Sequence, residues 1–188
     1  HYNLNGDDTL LKSLAAVGYK PEDITDMFLT HLHFDHAGGS VKYNSDRSGF
    51  EPTFPNATYW ISASQWEWAM HANRRESASF LKENIRPIDE SGKLKVFDYP
   101  GELFPGIEVR FYNGHTEGQA IPLISYKGKT IVFTSDLLPT TAHLPLPWVM
   151  SYDTRPLITL DEKESFLDEA VDKGYVLFFE HDLYTECC

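Results

Sequence analysis

Two chemistries collide at residues 26–39, DMFLTHLHFDHAGG, and that collision constrains this chain more than any other feature. An apolar run of strand type passes directly into His31, His33, Asp35 and His36, four polar residues within six positions. Groups this hard to bury are stable at the end of a buried strand only where something there uses them. In a tight loop the His31-x-His33 spacing lets two imidazoles converge on one point, and Asp35 and His36 can face a second point beside it. Neutral imidazole nitrogen and carboxylate oxygen suit zinc and similar divalent cations. Gly38 and Gly39 let the backbone turn without a Cβ clash, and a helix can start there. A solitary loop histidine is most simply a solvated surface group; a set packed this closely is not.

The pattern recurs downstream. His115 follows the strand-like IEVRFYN in YNGHTEGQ, Asp136 ends the apolar run IVFTSD, and His181 lies at the end of VLFFEHD. Taken singly, Asp136 could cap a turn, and either histidine could be a hydrogen-bonded loop residue. Taken together, they put candidate ligands at four strand ends, an arrangement in which rigid elements aim side chains at one rim.

The rest of the pattern mixes helices and strands. DDTLLKSLAAVG (7–18) predicts a helix capped by Asp7 or Asp8, with Leu10, Leu11, Leu14, Ala15 and Val17 on one face and Gly18 at its end. ATYWIS (57–62) predicts a strand, and residues 63–84 a mostly helical segment. KLKVFDYP, IEVRFYN, IPLISYKG and TIVFTSD predict four strands separated by turn signals such as Lys127-Gly128. Residues 160–174 predict a helix with Phe166, Leu167, Ala170 and Val171 inside, and 175–182 a final strand. No repeat, low-complexity tract or linker interrupts the chain. The expectation is one domain, 1–188, of α/β class, with sheets layered against helices.

Charge and cysteine usage exclude several classes. A net charge of −12 repels phosphate backbones, which argues against nucleic acid. No apolar run approaches the roughly 20 residues a membrane helix needs. The only cysteines, Cys187 and Cys188, are adjacent, so no disulfide framework exists, which fits a reducing, cytoplasmic setting. The expected partner is a small-molecule substrate, and a homodimer stays open.

HLHFDH, GHTEGQ, SDLL and EHD, in that order over residues 26–182, resemble the motifs of the metallo-β-lactamase fold metallohydrolases. In appearance they are nearest the lactonase and methyl parathion hydrolase-like branch. The resemblance implies an αββα sandwich and a binuclear site. His31, His33 and His115 would hold one metal, Asp35, His36 and His181 the second, and Asp136 would bridge them. It implies two divalent ions, zinc foremost, with manganese, iron or cobalt also compatible with these ligands. The activity implied is hydrolysis of small esters, lactones or phosphotriesters. Two ions sharing a water would lower its pKa from about 15.7 toward about 7 and present hydroxide to the substrate. Asp35 is the candidate catalytic residue that orients this nucleophile and takes its proton.

Departures from the family pattern bear on substrate. Gln119 stands where many members have histidine. Asp136, where the zinc β-lactamases use a cysteine, argues against β-lactam hydrolysis. Pro139 stands where the lactonases carry tyrosine, and proline has no hydroxyl to offer an oxyanion; activated aryl esters and phosphotriesters should therefore be favoured over acyl-homoserine lactones. Phe34, Leu138, His143 and Trp148 are the expected pocket residues. Leu144, Leu146 and Met150 lie on the same proline-rich segment, and Trp66 and Trp68 are weaker candidates that core packing would equally explain. Family members usually carry several strands before the first motif and more after the last histidine. With 30 residues before His31 and seven after His181, the expectation is a domain lacking N-terminal and C-terminal strands, a fragment of the native unit. Two alternatives stand beside the hydrolase: a glyoxalase II-like thioesterase, disfavoured by the acidic balance, and a non-catalytic metal-binding module.

Overall fold

The computed structural model describes residues 9–188, so the expected caps Asp7 and Asp8 fall outside the described residues. Helix α1 (Leu10–Ala16) is capped by Thr9, whose Oγ1 accepts Lys12 N–H at 3.2 Å. Leu14 packs on the core, whereas Leu10, Leu11 and Val17 are exposed, so the expected inner face of this helix is much narrower.

The chain continues through β1 (Asp26–Phe28), α2 (Phe34–Ala37), β2 (Val41–Tyr43), β3 (Phe50–Pro52), β4 (Thr58–Ser62), α3 (Ala63–Met70) and α4 (Lys82–Glu90). It then runs through β5 (Leu94–Phe97), β6 (Gly101–Phe104), β7 (Ile107–Tyr112), β8 (Gln119–Tyr126), β9 (Lys129–Phe133), α5 (Pro156–Lys173) and β10 (Val176–Phe178). The single helix expected over 63–84 is broken after Met70. Asn73 Oδ1 accepts the N–H groups of Arg75 at 2.9 Å and Glu76 at 3.1 Å, a local alternative to helical hydrogen bonding.

Strands β1, β4 and β5 form a parallel three-stranded sheet in the order β1-β4-β5. A second sheet has the order β10-β9-β8-β7-β6, antiparallel except where β10 runs parallel to β9. Strands β2 and β3 make a small hairpin.

Side-chain alternation along the strands defines the layers. Tyr59 and Ile61 of β4 face a cluster with Leu32 and with Ile85 and Ile88 of α4. Trp60, between them, points the other way and meets Phe97, Val109 and Ala120, which fill the space between the two sheets. On the far side, Ile121, Leu123, Val132 and Leu177 pack under Phe166 and Ala170 of α5. The stack is therefore helices, sheet, sheet, helix. Burying a side chain such as Phe166, 2% exposed, contributes about 1.5–3 kcal/mol. Thr159, Lys163, Phe166 and Ala170 form one helical stripe, and Val171, just off it, is 80% exposed rather than internal. Among the described residues no helix is long and apolar enough to cross a membrane.

Candidate metal centre

The strand ends meet at one place. His115 Nε2 lies 3.0 Å from Asp136 Oδ2, His36 Nε2 3.2 Å and His31 Nε2 3.6 Å. His181 Nε2 lies 3.2 Å from the other oxygen, Oδ1. His33 Nδ1 is 3.1 Å from His115 Nε2, and His181 Nε2 is 3.3 Å from His36 Nε2. Two groups result, His31–His33–His115–Asp136 and Asp35–His36–His181, with ligand atoms within 4.8 Å of one another in each. Nitrogens about 2.0–2.1 Å from a tetrahedral zinc lie about 3.3 Å apart, the spacing found here. His31 Nε2 is buried without a hydrogen-bond partner, which a cation would relieve. The donor set and its convergence thus fit divalent metal.

Each ligand is aimed by its local fold. The chain leaves β1 at Leu29, whose N–H still bonds Trp60 O, and crosses to the second sheet, where Thr30 O accepts Ala120 N–H at 2.8 Å. That crossing delivers His31 and His33 to the seam between sheets. Asp136 follows Ser135, held at φ +44°, a costly backbone for a non-glycine residue that turns the carboxylate inward. The His115 turn is clamped from two sides. A Cβ on Gly114 would lie 2.5 Å from Thr159 N of α5, and one on Gly118, at φ +70°, 2.7 Å from Gln65 N of α3. His181 is tied to the Asp136 loop through its N–H to Pro139 O at 3.0 Å.

The outward nitrogens of three histidines meet carboxylates. His33 Nε2 lies 2.9 Å from Glu76 Oε1, His115 Nδ1 3.0 Å from Asp153 Oδ1, and His36 Nδ1 3.0 Å from Glu180 Oε2. Such partners orient a metal-binding imidazole and raise its basicity. None of the three is singled out by the sequence: Glu76 and Asp153 are single acidic residues in polar segments, and Glu180 stands beside His181 with nothing to show that it faces His36.

Burial and the crowd of rings decide the charges. Burial pushes His31 well below its usual value, with His36 and His33 adding repulsion. Burial also lowers His33, partly opposed by Glu76. In His36 and His115 burial acts the same way, but Asp136 together with Glu180 or Asp153 prevails, raising them to about 10 and about 9. Burial works to raise Asp136, yet His115, His181 and His36 hold it well below the carboxylate range. A cation binding these rings would displace their protons.

A cavity of about 700 Å³ opens over this cluster, with His33, His115, Asp136 and His181 at its base and Phe34, Asp35, Arg75, Met150 and Tyr152 among its walls. Phe34 lines this cavity. Leu138, His143 and Trp148 are not among the residues lining the cavity. Leu138 is fully buried under α5, because the tight turn after Ser135 sends the chain into the core. His143 Nδ1 is engaged by Thr140 Oγ1 at 2.8 Å. Trp148 is 66% exposed, its segment held against α5 by Lys163 Nζ, which donates to the carbonyls of Pro145, Leu146 and Trp148. Trp66 packs on the core, and Trp68 donates to Glu76 Oε2 at 2.7 Å. Arg75 and Tyr152 carried no sequence signal.

The chain is similar to proteins of known structure or activity. An N-acyl homoserine lactonase from a Bacillus species is 27% identical over 183 residues, covering 96% of this chain and 64% of the lactonase. A probable metal-dependent hydrolase from Staphylococcus aureus superposes with a TM-score of 0.88 at 30% identity, covering 97% of this chain and 64% of that one. A dizinc quorum-quenching lactonase in complex with the product N-hexanoyl-L-homoserine gives a TM-score of 0.80 at 27% identity, covering 95% and 64%. The chain therefore spans 64% of the length of these relatives. The sequence profile of the metallo-beta-lactamase superfamily matches residues 4–181, the span that carries all seven converging residues, and the chain belongs to that superfamily.

Proposed function

We propose that this chain carries the active centre of a binuclear metal-dependent hydrolase of small esters, lactones or phosphotriesters. The convergence of His31, His33, His115 and Asp136 in one cluster and Asp35, His36 and His181 in another, five of the seven lining one cavity, carries the reading. The kinship with N-acyl homoserine lactonases supports it. Two divalent cations, zinc by analogy with the dizinc relative, would supply Lewis acidity and lower the pKa of a water from about 15.7 toward about 7.

The chain's own residues do the rest. Asp35, with its side chain 43% exposed on the cavity wall, is placed to orient a water and accept its proton. Phe34 and Met150 offer apolar surface to an acyl chain. Pro139 is buried and has neither hydroxyl nor N–H to donate, so hydroxyl help for a developing oxyanion falls to cavity donors such as Tyr152. One missing donor costs on the order of 10²–10³ in rate, least for substrates with good leaving groups. Aryl esters and phosphotriesters should accordingly be turned over better than acyl-homoserine lactones. Arg75 is the single Lys or Arg among the residues lining the cavity, a poor match for a thioester carrying the anionic glutathione moiety.

A panel of aryl ester, acyl-homoserine lactone, phosphotriester and glutathione thioester, run on one zinc-loaded preparation with and without chelator, tests the proposal. Chelator-sensitive turnover of ester and lactone is the expected result. Thioester as the best substrate, or no chelator-sensitive turnover of any member, would refute it.

A further inference from the structure

Behind the two ligand-bearing turns runs a closed ring of buried polar groups in which each hydrogen bond can point only one way. It starts from a backbone group. Leu32 N–H can only donate, and it meets Gln65 Oε1 at 3.3 Å. That fixes the amide of the fully buried Gln65 with its NH₂ toward the second turn, where Nε2 donates to Thr116 Oγ1 at 3.1 Å and Glu117 O at 2.5 Å. Thr116 Oγ1, having accepted one bond, directs its single proton at Glu76 Oε1.

Glu76 is 4% exposed and, ionised, only accepts. Its Oε2 takes Trp68 Nε1–H at 2.7 Å and Asn73 Nδ2–H at 3.1 Å. Its Oε1 also meets His33 Nε2 at 2.9 Å. Thr116, Trp68 and Asn73 each reach the carboxylate with a proton of their own, so both oxygens are committed as acceptors. His33 Nε2 must then be the donor. In the neutral ring Nδ1 is left unprotonated, and Nδ1 is the atom 3.1 Å from His115 Nε2.

We propose that Glu76 is the residue that positions His33 in this centre: by accepting from His33 Nε2 it selects the Nε2–H tautomer and presents Nδ1 as the ligand atom, while Thr116 and Gln65 lock the two turns in that register. The inference rests on the reading that His33 holds a metal. It assigns a role to a residue 43 positions away in sequence, on the irregular stretch between α3 and α4.

Glu76→Gln keeps the shape and breaks the logic. Four donors converge on the two carboxylate oxygens, and an amide offers one oxygen. Its NH₂ must face either His33 and Thr116 or Trp68 and Asn73, donors in both cases. With NH₂ toward His33, Nε2 is driven to accept and the ring proton moves to Nδ1, the ligand position. Loss of such a partner typically costs about 10–100-fold in metal affinity.

The experiment reads the His33 tautomer by long-range ¹H–¹⁵N NMR on zinc-free protein, and zinc dissociation constants by chelator competition for wild type and Glu76→Gln. The expected results are an Nε2–H tautomer in the wild type and zinc binding weakened about 10–100-fold in a folded Glu76→Gln. An Nδ1–H tautomer in the wild type, or unchanged zinc affinity in folded Glu76→Gln, would overturn the proposal. Should Glu76→Gln fail to fold, the wild-type tautomer alone decides it. A wild type that binds no zinc would instead overturn the functional reading, leaving the tautomer to judge Glu76.

Discussion

The carboxylate of Glu162 on α5 accepts the backbone N–H of Asn113 at 2.6 Å, and its second oxygen takes Gly114 N–H at 3.0 Å. A helix on the outer face of the five-stranded sheet thereby holds the turn that aims His115. Glu162→Ala leaves two inward backbone donors unpaired, which should cost about 1–3 kcal/mol. Urea unfolding of the variant measures this. Glu162→Gln, which keeps one acceptor, should lose less; equal stability of all three proteins would contradict the account.

Gly118 and Gly92 share nearly the same backbone, φ +70° and +71°, but not the same surroundings. A Cβ at Gly118 would lie 2.7 Å from Gln65 N, whereas at Gly92 nothing lies within 4 Å. Gly92→Ala should cost only the left-handed backbone, about 1–2 kcal/mol. Gly118→Ala adds a backbone clash between the His115 turn and α3 and should cost well beyond that, with loss of zinc binding. Paired thermal melts and metal assays check both.

These contacts explain what the sequence could and could not disclose. His31, His33, Asp35 and His36 are legible because they fall within six positions and follow an apolar run. Asp136 and His181 stand out because continuous apolar runs mark the strands they follow. Gln65, Glu76, Asp153 and Glu162 act across 33, 43, 38 and 49 residues, and no local pattern announces a polar residue whose partner is that distant. The helix break after Met70 hides in a helix-compatible composition and depends on one side chain, Asn73, competing for backbone N–H groups. Leu138 and Trp148 were misplaced for a related reason. Apolar composition says that a segment packs, not which of its residues turn to the core; here the turn after Ser135 buries Leu138, and Lys163, a buried cation on α5, holds the Trp148 segment by its carbonyls.

Acid should weaken one outer clamp in a defined range. Arg110, with help from Lys173 and Tyr175, pulls the Glu169 carboxyl from its usual 4.5 down to about 2. A depressed carboxylate stabilises the fold fully above its unfolded value and less as pH falls through its folded value. The Glu169 contribution is therefore complete above about 4.5 and fades toward about 2. The melting-temperature gap between wild type and Glu169→Gln should be wide at neutral pH and close on acidification through that window. Added salt should narrow it at neutral pH, since both partners are about a quarter exposed. A gap independent of pH would show that Glu169 acts through packing alone.

Asp136 sits between the two histidine groups, its Oδ2 3.0 Å from His115 Nε2 and its Oδ1 3.2 Å from His181 Nε2. Asp136→Asn keeps the shape and removes the charge that would face both cations. Metal content per chain, measured by mass spectrometry after zinc loading and desalting, is the most direct test of a shared binuclear centre. The account predicts about two zinc ions in the wild type and no more than about one in folded Asp136→Asn, with hydrolysis largely lost. A wild type that retains one ion or none, or an Asp136→Asn variant that keeps the full wild-type complement and turnover, would contradict it.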